Sequence, residues 1–283
     1  MTSLIEKYEF FIFDCDGVIW RGLEPLPGAN ELINKLESLN KGVIYVTNNS
    51  TKTKQCLADT ISNVVGVTVK NPMSLYSSGT ALADALKKKM KPGEKVYLIG
   101  SKGVADIMDD SEIDYIGFGS DMNPCLHTEF KDFKPDPDVK YVVAGFDPYF
   151  NYTKMSKAFI YINECKAEYL VSNLDVRYPL SKDRTLPGTG SLLNGLNHAL
   201  GFAPIVMGKP SSSLYDLICS DHKITDNSKV LMIGDNLLTD IQFGINSGID
   251  TCLVLSGITT RDMVLEDGAP QPSYIVDSVA DIA

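Results

Sequence analysis

Short apolar runs alternate along this chain with segments in which apolar residues recur at helical spacing. Such runs, bounded by polar or turn-forming residues, are typical of strands covered on both faces. Because strands and helices alternate almost throughout, we predict an α/β fold: a Rossmann-like, doubly wound and largely parallel sheet. The clearest strand segments are residues 10–13, 42–46, 230–233 and 251–255.

Three of these predicted strands deliver polar residues at their carboxyl ends. Asp14 and Asp16 follow the first strand, Thr47 follows the second, and Asp235 follows the third. Ligands of open α/β sheets bind at the edge formed by the carboxyl ends of the strands. We therefore expect these distant segments to converge, although each of them taken singly could be an ordinary loop start.

A long stretch between the second and third strands has its own β/α rhythm. It is bracketed by Lys91-Pro92-Gly93 and Phe202-Ala203-Pro204, which resemble hinges. We predict that residues 1–90 and 204–283 form a catalytic core and that residues 91–203 form an inserted α/β cap domain, since a chain of 283 residues suits two domains. The elements predicted in the insertion are 95–99, 104–109, 113–117, 140–144, 154–163, 168–172 and 191–200, with a loop at 124–138.

Charge and composition narrow the possible partners and location. The formal net charge of −10 argues against a nucleic-acid partner, because no basic stripe is present to neutralise phosphates. An acidic protein that handles anions must build a local positive site. The six scattered cysteines favour free thiols in a reducing compartment. With neither a secretory leader nor an apolar run long enough to span a membrane, we expect a cytoplasmic protein without a membrane partner.

Asp14, Asp16 and Gly17 form a D-x-D-G sequence just beyond the first strand. Two carboxylates at this spacing can share one ligand, so that one attacks as nucleophile while the other donates and removes a proton. Gly17 would allow the tight turn that directs them. Turns and calcium-binding loops also contain this sequence, so it needs support from elsewhere in the chain.

That support comes from Asp235 and Asp240, which follow the third strand and begin a helix. Mg²⁺ prefers carboxylate and carbonyl oxygens. We therefore predict a magnesium site formed by Asp14, the backbone carbonyl of Asp16 and Asp235, with Asp240 orienting these ligands. Alternatively, Asp240 is only a helix N-cap or first-turn acid.

Two further segments provide groups suited to phosphate. Thr47, Asn48 and Asn49 offer hydroxyl, amide and backbone N–H groups before a helix, although an ordinary capping turn has the same composition. Lys209, between Gly208 and Pro210, provides a cation that would neutralise both the nucleophile and the phosphoryl group.

In this order, these motifs resemble those of haloacid dehalogenase-like phosphatases. The insertion resembles the large α/β cap of the subgroup that contains 4-nitrophenylphosphatase, eukaryotic phosphoglycolate phosphatase, pyridoxal phosphate phosphatase and NagD. The resemblance covers nearly the whole chain and implies a Mg²⁺-dependent phosphatase acting through an aspartyl-phosphate. The roles it implies are Asp14 as nucleophile and metal ligand, Asp16 as general acid/base, Thr47, Asn48 and Lys209 as phosphate ligands, and Asp235 with Asp240 at the metal.

The substrate is expected to be a small phosphomonoester, with 2-phosphoglycolate and 4-nitrophenyl phosphate favoured over pyridoxal phosphate and over sugar or nucleoside monophosphates. The resemblance implies that the cap loop 173–179 contacts the substrate, and there Arg177 could meet a substrate carboxylate and Tyr178 could stack on a ring. An exposed surface loop is an equal alternative. A non-catalytic phosphometabolite-binding protein and a phosphoryl-transferring enzyme are the other classes considered. The resemblance also implies a homodimer through the cap.

Overall fold

Parallel pairing of buried strands organises the part of the chain that the structure describes, which is residues 3–181 and 184–282 of a computed structural model. The strands are β1 (Phe10–Asp14), β2 (Trp20–Arg21), β3 (Glu24–Pro25), β4 (Gly42–Thr47), β5 (Leu75–Ser77), β6 (Lys95–Ile99), β7 (Tyr115–Ile116), β8 (Val139–Ala144), β9 (Glu168–Val171), β10 (Arg177–Ser181), β11 (Arg184–Pro187), β12 (Ile205–Val206), β13 (Val230–Gly234), β14 (Asp250–Val254) and β15 (Tyr274–Val276).

Helices fill most of the intervals between these strands. The α-helices are α1 (Leu4–Lys7), α2 (Ala29–Ser38), α3 (Lys54–Thr60), α4 (Ser78–Lys89), α5 (Lys102–Asp110), α6 (Tyr152–Asn163), α7 (Thr189–Leu200), α8 (Ser213–His222), α9 (Gln242–Ser247) and α10 (Arg261–Val264). Single π-helical turns at Ile61–Val65 and Leu237–Ile241 adjoin α3 and α9, and short 3₁₀ segments lie at Pro72–Ser74, His127–Asp132, Asn227–Lys229 and Val279–Ile282. Among the described residues, no helix has the length and apolar character needed to cross a bilayer.

The first sheet has six parallel strands in the order β15-β14-β13-β1-β4-β5. From β1 the chain first builds outward through β4 and β5, and much later builds in the opposite direction through β13, β14 and β15. The order therefore reverses between β1 and β13, which is the switch point where ligands bind in doubly wound sheets. The predicted α/β class and its doubly wound parallel sheet are confirmed.

Side-chain alternation along the strands gives the first sheet two buried faces. Phe11 and Phe13 of β1 pack in one hydrophobic cluster together with α2, whereas Ile12 packs in another together with α4 and α8. Because successive strand residues point to opposite faces, both faces need helices to cover them. The continuous apolar runs in the sequence follow from this arrangement.

The second sheet has five parallel strands in the order β12-β9-β8-β6-β7. One of its faces packs against α6 and α7, and the other shares a hydrophobic cluster with α4 and the first sheet. β12 pairs with β9, so residues 205–206 lie in the second sheet although the predicted insertion ends at residue 203. The division into two domains itself remains a prediction.

The structure also differs locally from the predictions. The stretch 173–179 is only partly a loop, because from Arg177 the chain forms β10, which pairs with β11 in an antiparallel hairpin. The predicted loop 124–138 contains the 3₁₀ segment His127–Asp132. The edge strands β5 and β15 have three residues each and gave no recognisable signal in the sequence.

Candidate active site

The ends of β1 and β13 and the segment after β12 place Asp14, Lys209, Asp235 and Asp240 together. The ammonium of Lys209 lies 2.5 Å from Asp14 Oδ1 and 2.6 Å from Asp240 Oδ1. One oxygen from each of the three carboxylates lies within 4.8 Å of the others, and all three residues are buried. The convergence expected at the carboxyl edge is therefore present.

Two glycines make room for the carboxylate of Asp235. A Cβ on Gly17, which has φ of +84°, would lie 2.4 Å from Asp235 Oδ2, and one on Gly257 would lie 1.7 Å from the same atom. The N–H of Ile258 donates to Asp235 Oδ2 at 2.7 Å. The loop that follows β14 thus holds Asp235 against the D-x-D-G turn, at a separation that only glycines permit.

Asp240 connects Lys209 to the end of β13. Its Oδ2 accepts hydrogen bonds from the backbone N–H groups of Asp235 and Asn236, both at 3.1 Å, while Oδ1 receives the ammonium of Lys209. Asp240 lies in the first turn after β13, where the N-cap is Asn236. Its carboxylate therefore satisfies backbone donors, as the first-turn alternative expects, and also contacts the lysine.

The charges in this cluster do not balance. Burial raises the pKa of Asp14 well above its usual value. Lys209 opposes this rise, and the negative charges of Asp240 and Asp235 add to it. Burial and then Asp240 raise the pKa of Asp235 to about 7. For Lys209, burial disfavours the charge, but Asp14 and Asp240 outweigh it and raise the pKa. Three buried carboxylates around one ammonium leave excess negative charge that a divalent cation would neutralise, and carboxylate oxygens are the ligands a hard cation prefers. The donor set therefore fits such an ion.

Asp16 lies beside this cluster but has a different environment. Its Oδ1 accepts a hydrogen bond from the indole N–H of Trp20 at 2.9 Å. Burial raises the pKa of Asp16, and the Trp20 hydrogen bond opposes this. The ammonium of Lys52 lies 5.8 Å from the centre of the Trp20 ring. Sequence reasoning missed Trp20, although the one tryptophan of the chain stands four residues after Asp16.

The three residues after β4 contribute differently. Thr47 is buried, and its hydroxyl accepts a hydrogen bond from the N–H of Asn49 at 3.1 Å. Asn48 is buried and forms hydrogen bonds with the backbone of Lys209. The side chain of Asn49 is exposed, and its Oδ1 accepts from the N–H of Thr51 at 3.0 Å. Asn49 is therefore held in a local turn, and only its backbone N–H faces Thr47.

From the second sheet, two residues that sequence reasoning did not single out reach the site. Asn173 and Asp175 follow β9, and each forms a hydrogen bond with Asn48. Arg177 is exposed, and the ring of Tyr178 packs edge-on against Phe146 with centroids 5.4 Å apart. Within the described residues, neither Arg177 nor Tyr178 forms a hydrogen bond to the carboxylate cluster. The signal for Asn173 and Asp175 was their position at a strand end.

Two protein-family models together match most of the chain. Residues 11–114 match the family model described as haloacid dehalogenase-like hydrolase, and residues 206–282 match one described as HAD-hydrolase-like. The 4-nitrophenylphosphatase of Schizosaccharomyces pombe is 35% identical, covering 99% of this chain and 95% of the relative. Glycerol-3-phosphate phosphatase of Homo sapiens is 31% identical (99% and 91%), and phosphoglycolate phosphatase 2 of Arabidopsis thaliana is 33% identical (99% and 94%).

Solved structures agree over the same length. The p-nitrophenyl phosphatase from Archaeoglobus fulgidus superposes with a TM-score of 0.83 at 27% identity, covering 98% of both chains. Glycerol phosphate phosphatase from Mycobacterium tuberculosis, solved in complex with magnesium, gives a TM-score of 0.82 at 23% identity, covering 100% of this chain and 78% of that one. At 23% identity this second likeness concerns the fold alone.

Proposed function

Because the chain belongs to the family of haloacid dehalogenase-like hydrolases, we propose that it is a Mg²⁺-dependent phosphatase that cleaves small phosphomonoesters through an aspartyl-phosphate on Asp14. The family resemblance seen in the sequence is confirmed, and so is the enzyme class, since relatives that match along the whole chain are named as phosphatases. The observation that carries the proposal is the contact of Lys209 with Asp14 inside a buried cluster of carboxylates.

The geometry supports a distinct role for each carboxylate. Lys209 favours the charged form of Asp14 against the effect of burial, and would attract the phosphoryl group towards it. The Asp14 carboxylate attacks phosphorus, and the bond from phosphorus to the leaving oxygen breaks as Asp16 gives that oxygen a proton. Because burial raises the pKa of Asp16, the residue can hold this proton. Asp16 then takes a proton from water, which attacks phosphorus, breaks the bond to Asp14 and releases inorganic phosphate.

Asp14 and Asp235 would hold Mg²⁺, together with the backbone carbonyl of Asp16, while Asp240 orients the cluster. When bound, the ion supplies positive charge that stabilises the phosphoryl oxygens. The hydroxyl of Thr47, whose oxygen accepts the N–H of Asn49, would donate its own hydrogen to a phosphate oxygen. The excess of carboxylates over ammonium groups in the buried cluster supports this metal.

Among substrates, we favour 2-phosphoglycolate and 4-nitrophenyl phosphate. Relatives of similar identity are named for 4-nitrophenyl phosphate, phosphoglycolate and glycerol 3-phosphate, so the third ester belongs in any comparison. Arg177 lies exposed on β10 and would meet the carboxylate of phosphoglycolate. If so, Arg177→Ala lowers kcat/KM for 2-phosphoglycolate while leaving 4-nitrophenyl phosphate unchanged. Equal effects on the two esters would remove this role.

The direct test is release of phosphate from 4-nitrophenyl phosphate in Mg²⁺ and in EDTA. We expect activity in Mg²⁺, loss in EDTA, and a fall of more than about 10³-fold in Asp14→Asn. Asp267→Asn, at an exposed position, is the matched control and should match the wild type. Full activity of Asp14→Asn would exclude Asp14 as the nucleophile. Tight binding of these esters without turnover would instead favour a non-catalytic binding protein.

Three further features belong to this proposal. We propose that residues 1–90 and 204–283 form the core and residues 91–203 the cap, with residues 205–206 attached to the cap sheet. A homodimer through the cap follows from the resemblance, and a cytoplasmic location stays a prediction from the sequence. Light scattering of the purified protein, with the second sheet's surface residues changed to charged ones, would test the dimer.

A further inference from the structure

The side chain of Asn48 is fully occupied by protein partners. Its Oδ1 accepts a hydrogen bond from the N–H of Lys209 at 2.9 Å, and its Nδ2 donates to the carbonyl of Lys209 at 3.0 Å. Nδ2 also donates to Asp175 Oδ1 at 3.1 Å. A primary amide has two N–H donors, and both are engaged here. The side chain therefore has no donor left for a phosphate oxygen.

The backbone of Asn48 is held as firmly. Its carbonyl accepts from the hydroxyl of Ser78 at 2.6 Å and from Nδ2 of Asn173 at 2.7 Å, in a fully buried environment. A trans peptide places the carbonyl and the following N–H on opposite sides. The N–H of Asn49 therefore points away from these donors and towards Thr47 Oγ1. This side is where phosphate would bind.

The two hydrogen bonds between Asn48 and Lys209 join residues 161 positions apart. They fix the backbone from which the Lys209 side chain extends to Asp14 and Asp240. A small shift of that backbone would move the ammonium relative to the nucleophile, and such displacements are costly in catalysis.

We propose that Asn48 is a positioning residue for Lys209 rather than a phosphate ligand, and that Asp175, from the loop after β9, holds Asn48 in place. The loop after a strand of the second sheet thereby sets the position of the Lys209 ammonium, through the carboxylate of Asp175. This inference rests on the proposed function of Lys209 and replaces the predicted phosphate-binding role of the Asn48 side chain.

Asp175 is the residue to change, because it accepts a hydrogen bond from Asn48 and, in the described part of the chain, forms no ion pair with Lys209. Asp175→Ala removes the acceptor for one amide hydrogen of Asn48. The loss of a hydrogen bond to a charged group corresponds to about a tenfold change in an equilibrium constant. We expect kcat for 4-nitrophenyl phosphate to fall by about that factor. Asp175→Asn retains an oxygen acceptor of the same shape, so it should recover most of the loss.

A double-substitution cycle identifies the route of the effect. If Asp175 acts through Asn48, then Asp175→Ala in combination with Asn48→Ala should be no slower than Asn48→Ala alone, within about twofold. Hydrogen–deuterium exchange of the Lys209 N–H gives a readout that needs no turnover. Exchange should be faster in Asp175→Ala and Asn48→Ala than in the wild type, and should slow again in Asp175→Asn.

The outcomes separate this inference from the proposed function. Wild-type kinetics and exchange in Asp175→Ala would overturn it, and so would fully additive losses in the double variant. Equal losses in Asp175→Ala and Asp175→Asn would show that the charge of Asp175 acts directly, for example on substrate. If the wild type released no phosphate from any ester, the proposed function would fail, while the exchange pattern would still decide whether Asn48 positions Lys209.

Discussion

Replacing Asp235 by asparagine should make the metal-free protein more stable while abolishing its response to Mg²⁺. Asp235 is only 3% exposed, and its Oδ2 accepts a hydrogen bond from the N–H of Ile258. Asparagine has nearly the same shape and can still accept that hydrogen bond through its amide oxygen. The substitution therefore removes a buried negative charge with little other change.

The magnitude follows from the shifted pKa. Burial raises the pKa of Asp235 from 3.8 to about 7, which is about 3 units, and each unit corresponds to about 1.4 kcal/mol. Ionised Asp235 thus lowers the free energy of unfolding by on the order of 4 kcal/mol. Because the folded-state pKa is the higher one, this cost is absent below about pH 4 and is complete above about pH 7. The variant should gain stability at pH 8 and gain little at pH 4.

Urea unfolding followed by the fluorescence of Trp20 provides the assay. Trp20 is the chain's one tryptophan and is 3% exposed, so its emission reports on the packing beside the site. In EDTA at pH 8, Asp235→Asn should unfold at higher urea than the wild type. Saturating Mg²⁺ should stabilise the wild type, by about 2.7 kcal/mol at a hundredfold excess over Kd, and leave the variant unchanged.

Two results would refute this reasoning. One is a variant less stable than the wild type in EDTA at pH 8, which would mean that Asp235 is compensated without metal. The other is equal stabilisation of both proteins by Mg²⁺, which would place the ion elsewhere. The matching measurement at pH 4 is the internal control, since the two proteins should there differ least.

Two further substitutions test other parts of the structure. Gly257→Ala would place a methyl group against Asp235 and should raise the Mg²⁺ concentration needed for half-maximal activity by about tenfold or more. Gly195→Ala is the control and should leave this concentration unchanged, because its Cβ would make only a 3.5 Å contact. Equal Mg²⁺ titrations of the two variants would contradict the crowding at Gly257. Lys154→Met would leave Asp147 buried without its partner at 2.5 Å, and urea unfolding should show a loss of about 3–5 kcal/mol, which the addition of Asp147→Asn should partly restore.

Much of the fold could be predicted because buried parallel strands leave a strong pattern. Strand β6 was predicted with its observed bounds, 95–99, and β13 differs by one residue. Short edge strands could not be found in this way. The sequence places β12, which has two residues, in the core, whereas in the structure it pairs with β9 of the second sheet. That pairing depends on the path of the chain in space, and a run of two apolar residues does not specify this path.

Within the candidate site, the sequence by itself determined which chemistry is available: carboxylates, a lysine and small polar residues at the ends of strands. The pattern of apolar runs and the position of polar residues after them are enough to predict this, because parallel strands bring their carboxyl ends to one edge of the sheet. Only the tertiary structure decided how these groups are used. The two amide hydrogens of Asn48 are engaged by Asp175 and Lys209, which are 127 and 161 residues away. Hydrogen-bond partners depend on distances and angles in space, and these arise only when both sheets are packed.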